Sequence, residues 1–248
     1  RPQPFNTLGH QKPMKPIELS ICVLHYNRWD LTKDCLASID AQEIPCTYEK
    51  VVVDNGSTTP LLPGWPGIEA EKSGWRVVRY DHNISHISGQ NRCFESAQGE
   101  WVLFVANDVR LNIHCISNLL QYRDILYDSN VIVGQIQPVL YTPKGQIDAL
   151  GFHEKWPGYW FSYKRFQWIT VPAIPSTCYL LRKSMWWTVG RFDEDLFSSH
   201  EDVDMGIRLV KNGCQNHITP MASATHLMNA PLRHQPSHNR AAFHRDRV

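Results

Sequence analysis

Leu19-Ser20-Ile21-Cys22-Val23-Leu24, running straight into His25-Tyr26-Asn27-Arg28, is the stretch from which the fold is read. The run is apolar, too short for a helix, and shows no alternation of polar and apolar positions, which describes a strand buried on both faces of a parallel sheet. The polar residues that end it lie where such a sheet binds ligands, beyond the carboxyl ends of its strands. Downstream the pattern repeats. Asp30 can cap a helix whose Leu31, Cys35, Leu36 and Ile39 share a face and which stops before Pro45. Lys50–Val53 is a second buried strand ending in Asp54-Asn55-Gly56-Ser57, and Trp75–Tyr80 is a third, followed by Asn83 and a helix over Ser85–Gln98. Trp101–Val105 is a fourth, ending in Ala106-Asn107-Asp108. Strands alternating with helices predict an α/β protein with right-handed crossovers. One polar strand end is a turn; four of them together form a pocket.

Composition narrows the classes of function. The 248 residues, 42% of them hydrophobic, can bury one large α/β core or a domain with a smaller lobe. With 25 Lys and Arg against 24 Asp and Glu the net charge is +1, which argues against nucleic acid as a partner. The 7 cysteines include no Cys-x-x-Cys pair and read as reduced, mostly buried thiols. No apolar run approaches the roughly 18 residues of a membrane span, and the N-terminus lacks the apolar core of a signal peptide. The expectation is a cytoplasmic protein, with peripheral attachment to a membrane left open. Residues 1–17, rich in proline, read as an extended arm, and residues 229–248, with His234, His238, His244 and four arginines, as a basic tail.

The most acidic point of the chain is Ser198-Ser199-His200-Glu201-Asp202-Val203-Asp204. Ser198 and Glu201 have the spacing of a capping box, and Asp204 can pair with Arg208 one turn on. Val203, Met205, Ile207, Leu209 and Val210 supply the apolar side, and Lys211-Asn212-Gly213 ends the helix. Asp202 is left without a local partner. Acids also favour the positive end of a helix dipole for purely structural reasons. Between the two halves, Gly134–Leu140 reads as a strand, and Trp156, Tyr159, Trp160, Phe161, Tyr163, Phe166 and Trp168 crowd together. Aromatic faces stack on sugar C–H faces, although a hydrophobic lid or a dimer contact accounts for them equally well.

Taken in order, His25-Tyr26-Asn27-Arg28, Val51–Ser57, Asn83–Arg92, Asn107-Asp108-Val109, Gly190-Arg191-Phe192-Asp193-Glu194 and Glu201–Asp204 resemble the family 2 glycosyltransferases of the GT-A fold. The bacterial rhamnosyltransferase-like branch is the most similar. It typically reads Asn-Leu-Gly-Phe-Ala-Gly-Gly-Asn-Asn-Arg where this chain has Asn83-Ile84-Ser85-His86-Ile87-Ser88-Gly89-Gln90-Asn91-Arg92. The resemblance implies a Rossmann-like, mostly parallel sheet flanked by helices with a smaller acceptor-side lobe. It spans residues 18–228, with a nucleotide-sugar half at 18–112 and an acceptor half at 113–228.

The same resemblance implies an inverting transfer from a UDP- or dTDP-sugar to a glycan or other hydroxyl acceptor, with Asp202 as general base and Glu201 beside it. His25, Tyr26, Asn27, Asp54, Asn83, Gln90, Asn91, Asn107 and Asp108 would bind the donor, and Asp54 would accept the imide N–H of uracil or thymine. Asp108 and His226 would hold Mn²⁺ or Mg²⁺. Trp156, Tyr159 and Trp160 would meet the acceptor. Asp108 has a second reading, as the cap of a helix starting near Asn112. Three departures stand out: Ala106 in place of the first acid of the metal motif, Ser85 in place of glycine, and Leu24-His25 in place of Pro-Thr. Ala106 motivates the alternative of a sugar-nucleotide or glycan-binding module without catalysis. A nucleotidyltransferase would want a Gly-rich phosphate loop after the first strand, which is missing.

Overall fold

The computed structural model describes residues 15–58, 74–156, 159–162, 170–196 and 200–227. The N-terminal half is β1 (Leu19–His25), α1 (Trp29–Asp40), β2 (Tyr48–Asp54), β3 (Trp75–Arg79), α2 (His86–Ser96) and β4 (Trp101–Ala106). The chain continues through β5 (Val109–Leu111), α3 (Cys115–Asp128), β6 (Val133–Tyr141), β7 (Ile147–Ala149), β8 (Phe152–Trp156) and β9 (Tyr159–Ser162). It closes with β10 (Thr170–Val171), β11 (Cys178–Arg182), α4 (Lys183–Thr188), α5 (Glu201–Lys211) and β12 (Gln215–His226).

Ten strands among the described residues form one sheet, ordered β10-β12-β6-β11-β4-β1-β2-β3, with β5 on β12 and β7 on β6. The first four strands pair in parallel, as their continuous apolar runs require. The second half adds antiparallel pairings of β11 with both β4 and β6, so the sheet as a whole is mixed. Both faces are covered. Leu19, Ile21 and Val23 of β1 pack with Cys35, Leu36 and Ile39 of α1 and with Ile116 and Leu119 of α3. Cys22 and Leu24, pointing the other way, pack with Ile87 and Phe94 of α2, Trp186 of α4 and Met205 and Leu209 of α5. Each side chain taken fully out of water this way stabilises by about 1.5–3 kcal/mol.

From β1 the chain turns to β2 and β3 on one side, and β4 then pairs on the other, so a topological switch point lies between β1 and β4. Two local expectations are corrected. Asp30 does not cap α1: the cap position is Arg28, and Asp30 sits in the first turn, held by that arginine at 2.6 and 2.9 Å. Asp108 does not cap a helix either, because β5 intervenes before α3. Among the described residues no helix is long and apolar enough to cross a membrane.

Candidate active site

The strand ends do converge, and they divide into a structural frame and a reactive centre. At the end of β1, buried His25 contacts the Thr32 hydroxyl through Nδ1 at 2.7 Å, and Asn107 donates to the same hydroxyl at 3.0 Å. Burial holds the His25 pKa down against the opposing charge of Asp54, with Arg79 adding to the lowering. Asn27, in the left-handed region at φ 56°, accepts from the Thr58 N–H at 2.8 Å and donates its own N–H to the Ser57 hydroxyl at 2.9 Å, while Tyr26 is exposed beside it. Gly56 is obligatory here: at φ 74° a Cβ would stand 2.1 Å from the His82 backbone. Asn55 ties this loop to the start of α2, donating to Asn83 Oδ1 at 3.2 Å and to the Ser85 carbonyl at 2.8 Å.

Asp54 is wholly buried. Its Oδ1 accepts the Ser57 N–H at 3.0 Å and hydroxyl at 2.6 Å. Oδ2 has no hydrogen bond among the described residues, with Arg79 Nη1 3.4 Å away.

Gln90 and Asn91, expected at the donor, are buried and make internal bonds in this fold. Gln90 accepts from the Tyr179 hydroxyl at 3.0 Å. Asn91 clips the segment after α4, donating to the Phe192 carbonyl at 3.0 Å and Glu194 at 2.7 Å and accepting the Phe192 N–H at 3.1 Å. Ser88 adds a bond to Glu194 at 2.7 Å. Burial opposes the Glu194 charge, but the Asn91 and Ser88 bonds and the nearby Arg92 and Arg191 prevail and keep its pKa low. Glu194 was not expected to act as this anchor, although it belongs to the quoted Gly190–Glu194 motif. An open cleft of about 450 Å³ runs along the segment, lined by residues 189–195 with Asp204 and Arg208. It borders Asp204, and the reactive carboxylates described next are elsewhere.

Asp108 and His226 meet because β5 pairs antiparallel with β12, with His226 opposite Val109. His226 Nε2 lies 3.2 Å from Asp108 Oδ2, and its Nδ1 lies 2.7 Å from Asp148 Oδ2 on β7. Burial works against charge on this imidazole, yet the bonds to Asp108 and Asp148 and their charges lift its pKa to about 9. Asp148 was not anticipated as a partner of this histidine. Among the described residues no cluster of three His, Cys, Asp or Glu side chains surrounds a metal position. Asp108 and His226 Nε2 nevertheless suit a hard-to-borderline divalent ion that completes its shell with phosphate oxygens and water, and Asp148 is the outer partner such an imidazole ligand needs.

The acidic helix starts later than its capping-box spacing predicts. α5 begins at Glu201 with His200 as the cap residue, no side-chain cap bond forms, and Ser198 lies outside the described residues. Glu201 is therefore not a cap partner; it is buried at the first helical position. Asp204 pairs with Arg208 at 2.6 and 2.9 Å, as the spacing predicts. Asp202 accepts the Val203 N–H at 2.8 Å and is held by the Ser176 N–H. Burial and the Glu201 charge together raise its pKa to about 7 against those bonds. The helix start therefore does not keep this acid low, as its position alone would suggest.

Backbone pairing puts Trp156 opposite Tyr159 and Glu154 opposite Trp160 in the β8–β9 ribbon. Their side chains lie outside the described residues, as do Tyr163, Phe166, Trp168, residues 1–14 of the arm and the basic tail.

Comparison with known proteins agrees with this geometry. The chain is 26% identical over 241 residues to the O-antigen biosynthesis protein RfbC of Myxococcus xanthus, covering 87% of this chain and 18% of that protein. A 75-residue segment is 36% identical to the N-acetylglucosaminyl-diphospho-decaprenol L-rhamnosyltransferase of Mycobacterium tuberculosis, covering 30% of this chain and 24% of the other. The chain thus spans under a quarter of the length of these curated relatives. Among solved structures, GalNAc-T7 with UDP, GalNAc and Mn²⁺ superposes with a TM-score of 0.67 at 13% identity, over 87% of this chain and 45% of that one. The fold is that of the GT-A glycosyltransferases. Residues 20–190 match the profile of Glycosyl transferase family 2, and the chain belongs to that family.

Proposed function

We propose that this chain is an inverting glycosyltransferase that moves a sugar from a UDP- or dTDP-sugar to a hydroxyl of a glycan or similar acceptor. The observation that carries the reading is the meeting of Asp108 and His226 at the ends of β4 and β12, on the same side of the sheet as Asp54. Asp54 Oδ2, which accepts no hydrogen bond among the described residues beyond its ion pair with Arg79, suits the imide N–H of uracil or thymine, which cytosine lacks. Asp108 and His226 would hold Mn²⁺ or Mg²⁺, and the ion would offset negative charge growing on the departing diphosphate. The relatives support a sugar-nucleotide donor: one similar structure contains UDP and Mn²⁺, and another contains GDP-Man and Mn²⁺.

Asp202 is the base. As the acceptor oxygen attacks the anomeric carbon, the bond to the diphosphate breaks on the opposite face, and the acceptor proton passes to the Asp202 carboxylate. A carboxyl with a pKa of about 7 is about half ionised in neutral solution and holds a proton far better than an ordinary aspartate, which suits a base. Ser176 N–H and Val203 N–H fix its direction.

Calorimetry with UDP and TDP, with and without Mn²⁺, tests the donor site, and release of nucleoside diphosphate from a donor panel tests turnover. Metal-strengthened binding with release of free nucleotide is the expected result. Tight binding with no turnover of any donor returns the binding-module alternative, and no binding in either condition removes both.

A further inference from the structure

Transfer as just described makes no use of one imidazole. His86 opens α2, directly after Ser85, and its ring stands edge-on to Phe104 with centroids 6.4 Å apart and planes at 79°. Phe104 is itself fixed by stacking on Tyr179 at 5.4 Å, so the histidine rests on a rigid aromatic wall. His86 is exposed to solvent. Among the described residues it forms neither a hydrogen bond nor an ion pair.

Two carboxylates act on His86 from a distance: Glu201, next to the base, and Asp108, at the diphosphate end. With the leaving group near Asp108 and the attacking oxygen near Asp202, the ring of the transferred sugar would span the interval between them; Phe104, which carries His86, lies two residues before Ala106 on β4 and opposite Tyr179 on β11, just after the Ser176 that holds Asp202, so His86 stands at the same strand ends. A neutral imidazole offers one donor and one acceptor, which matches the needs of a sugar hydroxyl.

We propose that His86 reads a hydroxyl of the transferred sugar, so that the donor is a nucleotide sugar with a free hydroxyl on the side of its ring facing α2. The inference rests on the donor-site reading above and adds the polar contact that selects the sugar. The resembled branch typically has phenylalanine here, which gives a hydroxyl nothing to bond; the exchange to histidine is thus a change in what the pocket accepts.

The test compares the parent with His86→Phe and His86→Gln. UDP affinity is measured by calorimetry, and kcat/KM for nucleotide release is measured with UDP-glucose, UDP-galactose, UDP-GlcNAc and the 6-deoxy donor dTDP-rhamnose. For the donor the parent prefers, His86→Phe should lower kcat/KM by about tenfold or more with UDP affinity changed by less than about twofold, and His86→Gln should recover part of the loss. Equal kcat/KM for parent and His86→Phe on every donor overturns the proposal. So does a loss of UDP affinity as large as the loss of kcat/KM, which would put the ring on the diphosphate. A parent protein that neither binds UDP nor releases nucleotide from any donor fails earlier, at the donor site itself.

Discussion

His226 Nδ1 lies 2.7 Å from Asp148 Oδ2, and that bond turns the other ring nitrogen toward Asp108. Asp148 never needs to touch a metal to matter; it fixes the orientation of the imidazole that would. Asp148→Ala should weaken Mn²⁺-dependent UDP binding by roughly 10–100-fold, the usual worth of an outer-shell partner, and leave metal-free UDP binding unchanged. Asp148→Asn, which keeps an acceptor for Nδ1–H, should lose less. Calorimetry with and without Mn²⁺ decides: equal Mn²⁺ enhancement in parent and Asp148→Ala would remove Asp148 from the metal site.

As the proposed base, Asp202 should tie activity and stability to pH with opposite signs. Turnover by the ionised base should rise with pH through a midpoint near 7. Asp202→Asn should lower turnover by about 10²–10⁴-fold and spare UDP affinity. The folded carboxyl, at about 7, binds its proton more tightly than the ordinary aspartate value of 3.8. Between those values the folded state therefore carries more protons than the unfolded one, and the stability this contributes, complete below about 4, is lost as pH rises through 7. Asp202→Asn removes that loss, so its melting temperature should exceed the parent's at pH 8 and the advantage should vanish near pH 4. A difference independent of pH would place the raised proton affinity on another group.

Ser85 is strained and useful at once. Its φ of 85° with ψ of 164° belongs to a region tenanted almost only by glycine, while its hydroxyl accepts the Ser88 N–H at 3.1 Å and caps α2. Relief of backbone strain in Ser85→Gly is worth about 1–3 kcal/mol. Loss of the cap to glycine costs a few tenths, and the freer unfolded chain about 0.5–1 kcal/mol. The sum favours Ser85→Gly by about 1 kcal/mol, or a few degrees in Tm. Ser85→Ala keeps the strain and loses the cap, so it should melt below the parent. The reverse order in thermal melts would mean the strain is not stored at this residue.

The sequence made the N-terminal half legible because its signals are local. Runs such as Leu19–Leu24 and Val51–Val53 are buried on both faces and so carry little polar interruption, and each ends in polar residues at the carboxyl edge of the sheet. Asp108 and His226, named from the resemblance as a pair, do meet in the fold. Asp148 was missed because its role depends on the distant β12 returning to lie beside β6 and its short β6–β7 hairpin, a pairing that no local pattern encodes. For Gln90 and Asn91 the sequence does not separate a buried clip from a ligand contact, because amides suit both; the return of Phe192 and Glu194 to α2 adds the clip that Asn91 makes. Glu201 was given a cap's role from spacing alone, whereas the start of α5 two residues later buries it beside Asp202.

Gly206 fixes how closely the base-bearing helix approaches the sheet. A Cβ there would stand 2.5 Å from Ala173 Cβ, 2.6 Å from Ala173 Cα and 2.7 Å from the Pro172 carbonyl oxygen, distances that packed atoms do not adopt. In a free helix the change to alanine would be favourable by about 1 kcal/mol. Here the opposing atoms belong mostly to backbone and cannot swing aside, so α5 must lift away, and overpacking of this kind costs about 1–3 kcal/mol. The clash should prevail, making Gly206→Ala less stable by on the order of 1 kcal/mol. The shift carries a second consequence, because Asp202 lies one turn earlier on the same helix and takes its orientation from Ser176, just after Ala173 in the chain. Moving α5 against that loop lengthens the Ser176 bond and displaces the base from the acceptor oxygen. Turnover should fall by about 10²-fold, the sensitivity expected for a misplacement near 1 Å, while UDP affinity, set at the ends of β2 and β4, stays as in the parent. If Gly206→Ala melts higher than the parent with turnover intact, helix propensity outweighs contact at this position and α5 does not hold Asp202 in place through Gly206.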